Sequence, residues 1–134
     1  MKENATVIYC DSIQNQIVNG QMIPNISNPI SNITPYAVPG NYSFSIFVKV
    51  ENIRCDERHI LKIDILDTEN KLVMESPNID ISKDTMMIVN EFYAPITVSM
   101  DLRNVVIQSL GYFTTKVYLD GKELASQSLN VLKS

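Results

Sequence analysis

Apolar residues in this chain recur at every second position. From Tyr42 the sequence reads Tyr42-Ser43-Phe44-Ser45-Ile46-Phe47-Val48-Lys49-Val50. That order puts Tyr42, Phe44, Ile46, Val48 and Val50 on one face of a strand and mostly polar groups on the other, with Phe47 the exception. Leu61, Ile63 and Ile65 alternate with Lys62 and Asp64; Ile96, Val98, Met100 and Leu102 alternate with Thr97, Ser99 and Asp101. Phe113, Thr115, Val117 and Leu119 alternate with Tyr112, Thr114, Lys116 and Tyr118. An amphipathic helix repeats its apolar positions three and four apart, so these segments are half-buried strands. Their β-branched and aromatic content favours the same state.

Turn chemistry marks the joints. Asp120-Gly121 separates an alternating run from Lys122-Glu123-Leu124, and a type I′ turn, with positive φ at both central residues, favours that dipeptide. Ile65 to Leu72 has the same grammar with a longer loop: apolar strand, Asp67, turn residues ending at Asn70, then Lys71 and an apolar restart. In the last strand the apolar set changes parity between Leu124 and the Leu129, Val131 pair, which predicts a β-bulge near Ser126 to Ser128.

Residues 19–41 break the rhythm. Pro24, Pro29, Pro35 and Pro39 recur there among Asn, Ser and Gly, and each removes a donor and restrains the residue before it, so a continuous helix is excluded. The segment also carries Ile23, Ile26, Ile30, Ile33, Tyr36 and Val38, too apolar for a solvated linker. It reads as a long ordered Pro/Asn-rich connection that packs its isoleucines on the sandwich edge or on a partner. Ile26, Ile30, Ile33 and Tyr36 are the candidate interface. Ser82 to Asn90 holds either one helical turn or another connection.

Short strands at regular spacing with no long helical period predict an all-β chain: a single immunoglobulin-like or C2-like antiparallel β-sandwich of about eight strands over residues 1–134. An open barrel is the alternative. The length of 134 residues suits one core. There is no Trp, so any likeness to antibody domains, with their Cys, Trp, Cys core, is architectural.

The chemistry available is narrow. His59 is the one histidine, and neither Cys10 nor Cys55 comes with a nucleophile motif. One His and two distant Cys lack the paired spacing of a zinc site. Four Gly in all leave little for a backbone phosphate cradle, so no cofactor, no metal and no catalytic residue is expected. Asp64, Asp67, Glu69, Asp101 and Asp120 fall near strand ends, where C2 domains gather calcium ligands; turns favour Asp on their own account, and the dense Asp pattern of a calcium loop is missing. A net charge of -4, with Lys71, Lys83, Lys116, Lys122 and Lys133 scattered, argues against nucleic acid or membrane as a partner. No secretory leader is expected at the amino terminus, and two cysteines do not make a disulfide framework, so the reading is a cytoplasmic protein with reduced thiols. Asn4-Ala5-Thr6, Asn25-Ile26-Ser27, Asn32-Ile33-Thr34 and Asn41-Tyr42-Ser43 match the glycosylation pattern by chance in an Asn- and Ser-rich chain.

The stretch from His59 to Asp67, the stretch from Gly111-Tyr112-Phe113 to Asp120-Gly121-Lys122, and the strand end Tyr9-Cys10-Asp11 together resemble a family of small uncharacterised bacterial and phage-borne β-sandwich proteins. The resemblance implies a fold and no activity. The functional expectation is a non-catalytic protein-interaction module of a bacterium or phage, binding a protein partner, with a homodimer as one form of that pairing. The competing expectation is a small-ligand or calcium-binding C2-like domain, or an enzyme with its site around His59. A buried His59 without polar partners would remove the second.

Overall fold

The computed structural model describes residues 2–54, 56–82 and 93–134. Among them lie ten strands and no helix: β1 (Asn4–Val18), β2 (Gln21–Ile30), β3 (Asn32–Ile33), β4 (Gly40–Arg54), β5 (His59–Leu66), β6 (Leu72–Glu75), β7 (Ile79–Ile81), β8 (Tyr93–Ile107), β9 (Gly111–Leu119) and β10 (Lys122–Val131). One sheet has the order β2-β1-β4-β8; the other runs β3-β10-β9-β5-β6, with β7 also paired to β5. Two separate sheets make this a sandwich rather than a barrel. All pairings are antiparallel except the short β3–β10 pair, which is parallel.

The alternation seen in sequence is the alternation that buries. Phe44, Ile46, Val48 and Val50 of β4 face Leu61, Ile63 and Ile65 of β5 and Phe113, Val117 and Leu119 of β9 in one core. Each fully buried Ile or Leu contributes about 1.5–3 kcal/mol. Tyr9 ties the two sheets through that core. Its hydroxyl lies 2.7 Å from Thr115 Oγ1 on β9 and 2.8 Å from the Gln127 carbonyl on β10. A carbonyl can only accept, so the phenol donates to Gln127 and shares the other bond with the Thr115 hydroxyl. Burial pushes the Tyr9 pKa up to about 12. Beside it the packing leaves an apolar-lined void of about 10 Å³, at the lower limit for a single water.

Three local expectations are revised. The bulge in the last strand falls between Glu123 and Ala125, at Leu124, not near 126–128; the apolar parity shifts as soon as the strand leaves the turn. Residues 19–41 are not one long connection, because 21–30 form β2 and 32–33 form β3. Those two strands bring the count to ten rather than about eight. Of Ser82 to Asn90, the part beyond Ser82 lies outside the described residues. The Asp120-Gly121 hairpin is as read, with φ +52° and +81° at its two central residues.

Candidate interaction surface

β1 follows β4 only as far as the Cys10–Ser45 pair. Its pairing with β2 continues without a register shift from Tyr9–Ile30 to Val18–Gln21. Residues 11–18 and 21–28 therefore leave the sheet as a two-stranded ribbon, closed by Asn19-Gly20 with φ +52° and +78°. Those values are the type I′ turn that Asn-Gly favours. An Asp11–Asn28 side-chain hydrogen bond crosses its base.

One face of the ribbon has the parity of Val7 and Tyr9, which point into the core. On it Ile13 stands opposite Ile26, Asn15 opposite Pro24 and Ile17 opposite Met22. The core face of the sandwich is thus prolonged beyond the core, and it is bare: Ile17 is 75% exposed and Met22 63%. Val18 and Ile23 are exposed on the other face. Two strands alone are marginal in water, and an apolar face of this kind is normally covered. Pro24 removes a backbone donor from the free edge of β2, while the nitrogen of Pro29 faces β1, so the edge is interrupted as a template for another strand. No charged residue occurs from 12 to 48, a span that includes the whole ribbon beyond Asp11.

The ribbon shares its end of the sandwich with the 34–39 connection, the 67–71 turn, the 108–110 loop and the carboxy-terminal residues, as the register of β4, β8, β9 and β10 requires. A cleft of about 480 Å³ opens there, lined by Pro35, Tyr36, Val38, Leu110 and Lys133. Tyr36 is fully exposed, and Leu110 and Leu132 are partly so. Among the described residues Ile60 is the one strongly exposed large apolar side chain at the opposite end. That end carries ion pairs instead, Arg54 with Asp56 at 2.7 Å and Arg58 with Asp80 at 3.7 Å. The bare apolar side chains thus gather at one pole, beside the Glu69–Lys71 pair of the 67–71 turn.

The four expected interface residues separate. Tyr36 stands free at the apolar pole and Ile26 lies half-buried on the ribbon's inner face. Ile30 packs against the core, and Ile33, 1% exposed, belongs to it. An accessible role for Ile33 is thereby ruled out: its strand joins β10 in parallel and turns the side chain inward.

His59 is buried, 4% exposed, but it has polar partners. Nδ1 lies 2.6 Å from Asp120 Oδ2 and Nε2 lies 2.9 Å from the Arg54 carbonyl. Asp120 Oδ1 accepts from the Ile60 amide at 2.9 Å. Burial pulls the His59 pKa down, yet the bonds to Asp120 and the Arg54 carbonyl outweigh it and leave it above the ordinary value. Burial likewise pushes Asp120 up, but His59 and the Ile60 amide hold it below the usual carboxylate range. The ring joins the β4–β5 connection to the β9–β10 turn, with both nitrogens occupied.

The other carboxylates are also engaged. Asp67 accepts from the amides of Glu69 and Lys71, closing its own turn. Glu69 pairs with Lys71, and Asp101 accepts from Ser45 Oγ at 2.6 Å. Asp64 differs: its buried Oδ1 has no hydrogen-bond partner and lies 3.8 Å from Lys62, which bonds Glu75 at 2.9 Å. Among the described residues no three His, Cys, Asp or Glu side chains come together as a metal-binding group. No helix among them is long and apolar enough to cross a membrane.

Sequence reasoning missed the ribbon, although two signals for it were present: the Asn19-Gly20 dipeptide and the charge-free run. A family model described as Family of unknown function (DUF6941) matches residues 5–132. No curated protein matches the chain.

Proposed function

The chain belongs to the DUF6941 family of unknown function, and on that premise we propose a non-catalytic protein-docking role exercised through the apolar pole. One observation carries the reading: a ribbon with bare apolar side chains on both faces and no charge from 12 to 48. The cores of protein interfaces are depleted in charge in the same way. Pro24, whose nitrogen lies on the free edge of β2, favours docking by the ribbon's face over addition of a strand at its edge. His59 supports the non-catalytic part, since neither ring nitrogen is free to take a proton from a substrate. Asp67 and Asp120, the best-placed candidates for calcium, are spent on their own turns and on His59. The buried free thiol of Cys10 suits a reducing cytoplasm; with the resemblance noted above, it makes a bacterial or phage cytoplasmic protein our reading.

A photo-crosslinking amino acid placed at Ile17 or at Ile60 tests this in extracts of the native host. The two positions are both exposed and lie at opposite poles. The docking role predicts adducts with protein from position 17 and none from position 60. Equal yields at both, or none at 17, would overturn it.

A further inference from the structure

We propose that the occupant of the ribbon face is a second copy of this chain, related by a two-fold axis that crosses the ribbon at the Asn15–Pro24 pair. The proposal rests on the docking role and names its partner.

Charge makes the first argument. A two-fold contact sets a surface patch against itself, and this chain has a net charge of -4. A patch bearing net charge would meet its own sign across the axis. The ribbon beyond Asp11 has no charge to repel.

Shape makes the second. Along the inner face the cross-strand pairs run large, smaller, large: Ile13 with Ile26, Asn15 with Pro24, Ile17 with Met22. A two-fold axis lying between two stacked ribbons and crossing them at the middle pair reverses one ribbon on the other. Ile13 then meets the mate of Ile17, Ile26 meets the mate of Met22, and Asn15 meets its own mate. The large pairs cover one another and the small pairs share the centre. Stacked β layers lie about 10 Å apart and twist by about 30°, which this spacing accommodates. A stable interface buries roughly 800 Å² per partner, more than one face of a ribbon about 27 Å long provides. The contact therefore draws on the exposed Tyr36 and Leu110 side chains at the same end, and it is a weak one.

Sedimentation velocity of the whole chain from 1 to 200 µM should show a dimer filling in over tens of micromolar. Ile17→Asp and Met22→Asp, at positions exposed in the single chain, should each leave a monomer throughout with the β circular dichroism and melting temperature unchanged. Asn15→Cys should be joined into a covalent dimer by a bis-maleimide of about 10 Å span, and the wild type and the Asn15→Cys, Ile17→Asp double variant should not. A dimer that survives Ile17→Asp, or an Asn15→Cys chain that dimerises but does not crosslink, overturns the arrangement. A monomer at 200 µM whose position 17 still captures other host proteins overturns the second copy and leaves the docking role standing. A monomer that captures nothing ends both.

Discussion

Both ring nitrogens of His59 face oxygens that accept hydrogen bonds, the Arg54 carbonyl and the Asp120 carboxylate. A neutral imidazole would turn a lone pair toward one of them, so the site favours the imidazolium. Proton linkage gives this a measurable sign. His59 holds its proton more tightly in the folded chain than at the ordinary pKa of 6.5. Its contribution is complete below 6.5 and is lost as the pH rises through the folded value. Asp120 behaves in the opposite sense: its contribution is present above 3.8 and is lost as the pH falls through its lowered folded value. The pair thus stabilises most between 3.8 and 6.5. Asp120→Asn removes the carboxylate while keeping a residue that tolerates the positive φ of the turn. At pH 6 it should cost ~1–2 kcal/mol in urea denaturation, below the usual loss for a broken buried pair because Asp120 is half-exposed. The deficit should shrink toward pH 9, and the His59 pKa read by NMR should fall. A deficit that stays constant with pH would contradict the imidazolium.

Two hairpins close with the same turn chemistry and serve different ends. Asp120-Gly121 joins β9 to β10, whose Val117, Leu119, Leu129 and Val131 are core residues; Asn19-Gly20 joins strands that bury little beyond Tyr9. Neither glycine has a neighbour within 4 Å of where a Cβ would sit, so a side chain there costs conformational energy alone. Gly121→Val should lower global stability by ~1–3 kcal/mol, whereas Gly20→Val should free the ribbon amides to exchange with solvent and leave the melting temperature of the dilute protein nearly unchanged. Equal losses of melting temperature would mean that the ribbon belongs to the cooperative core. What the sequence made legible follows the same division. Strands with one face buried announce themselves by alternation, as β4, β5 and β9 do, and Asp120-Gly121 sits between two of them. In β2 neither face is fully buried, so Met22 to Ile30 has no alternation to read and its prolines resemble a linker's. Ile33 became core through a parallel pairing with Val131, and His59 met Asp120 across 61 residues; no local pattern encodes either encounter. The charge-free run was local, and it was legible.

At the scale of the whole molecule the bare apolar side chains gather at one end, where the ribbon is free of charge although the Glu69–Lys71 pair and Lys133 lie near it. Association through the apolar pole should therefore be nearly indifferent to salt, because screening acts on charges and the ribbon beyond Asp11 has none. Between 0.05 and 0.5 M sodium chloride the dimer constant should change by less than about threefold or tighten slightly. A weakening of tenfold or more would place the contact on charged surface rather than on the ribbon. The same emptiness has a consequence for digestion. Trypsin cuts after Lys and Arg, and none occurs between Lys2 and Lys49. The exposed ribbon offers that enzyme no scissile bond whether it is free, covered or unfolded. Residues 3–49 come away as a single peptide, and a tryptic footprint is silent about the element on which the proposed pairing rests. Thermolysin, which cuts before Ile, Val and Met, reads it directly.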